Sequence, residues 1–123
     1  MNSIQESDKI KSFDEKCKKM LNENDVRFIG VINNMGRQIA GGYREGLVPL
    51  VDEEEHKMGI QHTLEYVLTK DLDDSLGSVE HIITKRKKVV MITIPMPNHI
   101  ILISAENDIN SEEIIEKVMA LQF

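Results

Sequence analysis

The chain has no tryptophan, three phenylalanines and two tyrosines in 123 residues, with one cysteine and three prolines. So few aromatic rings leave little for a surface that stacks nucleobases. Cys17 has no second cysteine to pair with, which suits a reducing compartment. No apolar run approaches the ~20 residues of a membrane span, and residues 1–20 are too polar for a secretory signal. Membrane insertion is therefore not expected, and the expected location is cytoplasmic. Basic residues are outnumbered, 15 against 21 acidic, for a net charge of −6. That balance argues against a general nucleic-acid binder but permits a local basic patch.

What is present is ordinary for a globular domain: 41% apolar and 29% charged residues. The length suits one core. Residues 1–8 lack periodicity and are expected to be a frayed or disordered end, with a single domain over 9–123. Ile10, Phe13, Cys17, Met20 and Leu21 then share one face of a helix over 9–24. Residues 26–34 (VRFIGVINN) read as a central strand covered on both faces. Asn34-Met35-Gly36 turns the chain into a hairpin partner over 37–43, where Gly41-Gly42 marks a bulge or a close backbone approach.

The acidic run Asp52–Glu55 suits a helix start, where carboxylates complement the unpaired amides. That helix is expected to reach about Ser75 and stop at Gly77. Its larger stripe, Ile60, Leu64, Val67, Leu68 and Leu72, is assigned to the sheet. A smaller stripe of Met58, His62 and Tyr66, beside Gly59, would then face outward. It is either ordinary scattered surface apolarity or a helix–helix seam. Three strands follow, over 78–84, 89–95 and 100–105, and Asn110 or Ser111 caps a closing helix. The order α-β-β-α-β-β-β-α predicts an α+β sandwich: a five-stranded antiparallel sheet with helices on both faces. Hairpins 26–43 and 89–105 are the secure pairings, and strand 78–84 belongs at an edge.

No reaction is written in the motifs. His56 and His62 are too far around a helix to share a metal, and Asp71–Gly77 fails as a calcium loop because its sixth position is Leu76. Cys17 on an apolar face is an inert small hydrophobe. No Gly-rich phosphate loop is present. Catalytic, cofactor-binding and metal-binding residues are accordingly none. Lys85, Arg86, Lys87 and Lys88 form the one dense basic patch, either a solvated turn or a docking point for an anionic partner.

The element order resembles the Roadblock/dynein-light-chain-7 superfamily, a branch of the profilin-like and longin-like folds, over roughly residues 10–123. The closest likeness is to short archaeal proteins sharing Ile32-Asn33-Asn34-Met35-Gly36-Arg37, Gly41-Gly42, Glu45-Gly46, Pro49, Asp52–Glu55, Ser75-Leu76-Gly77 and Val89-Val90-Met91. The resemblance implies a non-enzymatic dimeric scaffold or signalling adaptor, with a small Ras-like GTPase or another protein as partner. It also implies a homodimer through edge strands and central helices, here expected at Met58, Gly59, His62, Tyr66, Val79, His81 and Ile83. The alternative is a small-molecule sensor of profilin-like or PAS-like architecture, with a pocket among Ile60, Leu64, Met91 and Ile101.

Overall fold

The computed structural model describes residues 3–23, 25–49 and 54–123, with side chains from residue 6 onward except at 54–56. Asp52 and Glu53, at the head of the acidic run, and the side chains of Glu54, Glu55 and His56 lie outside the described residues. The elements are α1 (Ser3–Leu21), β1 (Val26–Asn33), β2 (Gln38–Tyr43), α2 (Glu54–Thr69), a 3₁₀ turn (Lys70–Leu72), α3 (Asp73–Leu76), β3 (Ile82–Lys85), β4 (Val89–Pro95), β5 (His99–Glu106) and α4 (Ser111–Ala120). The five strands form one antiparallel sheet in the order β2-β1-β5-β4-β3. Both expected hairpins form, and β3 lies at an edge.

Period-two alternation divides the strands between two cores. On one face Ile29, Val31, Ile92, Ile94, Ile101 and Ile103 meet α1 and α4 through Phe13, Cys17, Ile114 and Val118. On the other face Phe28, Ile32, Val89, Met91, Ile100 and Leu102 meet α2 through Met58, with Tyr66 packed beside it. β1, β4 and β5 are therefore apolar on both sides, as the near-continuous runs in the sequence predict.

Several boundaries differ from expectation. α1 begins at Ser3 rather than Lys9, because a polar stretch free of Pro and Gly can extend a docked helix, and Glu6 complements its first turn. The expectation of a frayed end over 1–8 does not hold for the backbone from Ser3 onward. Ile10 is exposed, while Phe13, Cys17 and Met20 carry the packing. β3 begins only at Ile82, so Val79 and His81 precede the strand instead of lying in it. α4 is capped by Asn110, whose side-chain oxygen accepts from the amides of Glu112 (3.0 Å) and Glu113 (3.3 Å). The β1–β2 register shifts at Val31/Ile32. Gly41 instead provides the close approach: with φ +94°, a Cβ there would stand 2.1 Å from the Ile29 carbonyl oxygen.

Candidate functional site: the outer face of α2 and the β3 edge

α2 carries two apolar stripes, and the structure turns the smaller one inward. Met58 is 8% exposed and His62 3%, whereas Leu64 is 57% and Leu68 68% exposed. Ile60 and Val67 are exposed on the same outer face, and Leu72 is exposed in the 3₁₀ turn that follows α2. This reverses the sequence-based assignment: Met58 and His62 pack into the chain's own core instead of standing on the outer face. Tyr66 is half-buried, stacked beneath the Lys70 ammonium at 5.1 Å.

Gly59 is the physical reason for the rotation. A Cβ there would lie 2.9 Å from the Gly36 carbonyl oxygen, so α2 seats directly on the β1–β2 turn. Only glycine permits that approach, and Met58, His62 and Tyr66 follow it inward at helical spacing. The expectation that Gly59 admits a partner helix is thus corrected: the close approach is internal.

The sensor pocket anticipated among Ile60, Leu64, Met91 and Ile101 does not form. Ile60 and Leu64 face outward, and Met91 and Ile101 lie on opposite faces of the sheet. An open groove of about 760 Å³ lies instead between α2 and the β3–β4 hairpin. Met58, Val89, Met91 and His62 line it, with Lys57, Gln61 and Lys85–Lys88. His62 Nδ1 is 3.8 Å from Glu65 Oε2 and has no hydrogen-bond partner among the described residues. Burial lowers the pKa of His62 below 6.5; Glu65 opposes that shift and Arg86 adds to it. The groove's positive charge at neutral pH therefore comes from its lysines and arginine.

The sheet edges are unequal. On the β2 edge, the Gly41 amide donates to Asp14 Oδ1 at 2.8 Å and the Gly41 carbonyl accepts from Gln38 Nε2 at 3.1 Å. These side chains occupy the backbone groups that an added strand would need. β3 pairs with β4 alone, and Ile83 on it is exposed. The exposed α2 stripe is a surface that monomeric proteins seldom leave uncovered.

Among the described residues, no group of three or more His, Cys, Asp or Glu side chains is gathered to hold a metal ion. No helix among them is long and apolar enough to cross a membrane. Cys17 is buried, and burial, with a smaller contribution from Asp14, pushes its thiol up to about 12.

This architecture is the Roadblock fold. The Roadblock/LC7 domain from Streptomyces avermitilis superposes with a TM-score of 0.71 at 11% identity, covering 88% of this chain and 89% of that one. The gliding protein MglB from Thermus thermophilus gives 0.78 at 10% identity (91% and 84%), and MglC from Myxococcus xanthus 0.62 at 12% (89% and 92%). The chain itself belongs to a family of unknown function (DUF6659), which it matches over residues 5–121. No curated protein matches it.

Proposed function

We propose that this protein is a non-enzymatic, cytoplasmic scaffold or signalling adaptor that works as a homodimer and engages a small Ras-like GTPase. The observation that carries the reading is the row Ile60, Leu64, Val67 and Leu68, exposed on α2, with Leu72 exposed in the 3₁₀ turn that follows. Burying an aliphatic side chain of this size is worth ~1.5–3 kcal/mol, enough for a few of them to drive association. The open β3 edge offers a second joining surface, where Ile83, with Val79 and His81 just before the strand, remain interface residues in this reading. Met58, Gly59 and His62 leave the list because they serve the chain's own core, and Tyr66 contributes only its outer part.

Support for a protein partner also comes from likeness of fold, since a solved neighbour is described as MglB with a tetrameric arrangement. The net charge of −6 disfavours nucleic acid as the partner. The test is light scattering on the full chain, followed by titration of small Ras-like GTPases from the same genome in both nucleotide states. A dimer that binds one state of a GTPase fits the proposal. A dimer that binds none of them removes the GTPase and leaves the scaffold. A monomer at high micromolar concentration removes the whole reading.

A further inference from the structure

The groove between α2 and the β3–β4 hairpin has two chemistries, an apolar floor and a basic rim. The floor is Met58, Val89 and Met91, which are 8%, 7% and 3% exposed. The rim is Lys57 and the run Lys85–Lys88, all exposed. The chain carries a net charge of −6, yet no carboxylate is among the groove's described lining residues. None of the rim cations forms an ion pair among the described residues. Positive charge thus converges on one opening of a protein rich in acid.

The turn that presents this charge is pre-formed. The Arg86 amide donates to the Val89 carbonyl at 2.9 Å, and the Asn107 side-chain amide donates to the Lys87 carbonyl. Four like charges in succession repel one another on that fixed backbone, and an anion relieves the repulsion. Below them, the two methionine side chains are unbranched and polarisable, so the floor can adapt to an apolar guest. His62, in the same lining, is 3% exposed, and its Nδ1 lacks a hydrogen-bond partner among the described residues. A buried polar atom left unpaired is costly, and it is available to whatever polar group the groove takes in. The volume of about 760 Å³ is that of a small-molecule site.

We propose that this groove binds a free single-chain amphiphile, its apolar tail lying over Met58 and Met91 and its anionic head, a carboxylate or phosphate, held by the Lys85–Lys88 turn. The site lies within one subunit and does not depend on the homodimer proposed above. A bare anion would use the rim and leave the floor wet, and a neutral hydrocarbon would leave the cations unbalanced. An acidic peptide would lay main-chain amides and carbonyls over carbon and sulfur that give them no partners. An anionic bilayer would offer head groups with their tails withheld, to a chain whose net charge it repels.

The test is methyl NMR of the methionine-labelled full chain, titrated with dodecanoate and dodecyl phosphate below their micelle concentrations. The Met58 and Met91 methyls should shift, while those of exposed Met35 and Met119 stay in place and serve as controls. Lengthening the alkyl chain by two carbons should tighten binding about tenfold. Lys85→Gln with Lys87→Gln and Lys88→Gln, at exposed positions, should weaken binding about tenfold with the remaining methyl spectrum unchanged. Dodecyltrimethylammonium bound as tightly as the anions would overturn the charge recognition. Shifts confined to the control methyls, or affinity that ignores chain length, would overturn the site. Binding to phosphatidylglycerol vesicles with Met58 and Met91 unmoved would assign the rim to a membrane surface and overturn the proposal, as would no binding of either amphiphile.

Discussion

Gly59 in α2 lies so close to Gly36 in the β1–β2 turn that a Cβ on Gly59 would stand 2.9 Å from the Gly36 carbonyl oxygen. The neighbouring atom is backbone, so it cannot swing aside. Gly59→Ala gains helix propensity of ~0.5–1 kcal/mol but meets an overpacking cost of ~1–3 kcal/mol. Net destabilisation of about 1–2 kcal/mol is expected in urea unfolding. A stabilised variant would show that α2 does not seat on the turn.

The reversed faces of α2 predict opposite outcomes for two substitutions on one helix. Met58→Glu places a carboxylate in the core and should cost more than about 3 kcal/mol, unfolding much of the population. Leu68→Glu sits in water and should leave the urea midpoint of the isolated subunit within about 0.5 kcal/mol of wild type. Equal effects would mean that neither stripe is preferred by the sheet.

Two histidines bind protons less readily in the fold than in the open chain. Burial lowers the pKa of His62, and burial with a smaller contribution from Lys9 lowers that of His99 below 6.5. The unfolded chain therefore holds more protons as pH falls past 6.5. Their contribution is complete above that pH and is lost between 6.5 and the lowered values. Urea midpoints should fall from pH 7.5 to pH 5, and His62→Gln with His99→Gln should flatten that slope.

Cys17 is 1% exposed with its thiol pushed up to about 12. It should resist N-ethylmaleimide in the native protein and react on the timescale of global unfolding. Labelling within seconds in native buffer would contradict the packing of α1 on the sheet.

Asp14 holds the Gly41 amide on the β2 edge. Asp14→Ala should cost about 1–2 kcal/mol and expose that edge. Faster amide exchange at Gly41 is the direct readout.

Much of the fold is legible in the residues. The apolar runs at 26–34, 89–95 and 100–105 read as strands and form β1, β4 and β5, and Gly36 with φ +79° makes the first hairpin turn as its position predicts. The rotation of α2 is not legible from periodicity alone, because Ile60, Leu64, Val67 and Leu68 form the larger stripe and larger stripes normally face inward. The decisive signal was Gly59, which marks the side of the helix that touches backbone. The blocked β2 edge could not be foreseen, since Asp14 and Gly41 meet only in three dimensions.

Sedimentation equilibrium of the wild-type chain beside Leu64→Asp, from low to high micromolar concentration, is the most direct test of α2's outer face as an interface. The account predicts a wild-type dimer and a folded, monomeric Leu64→Asp. A wild type that stays monomeric throughout, or a Leu64→Asp variant that dimerises as tightly, would contradict it.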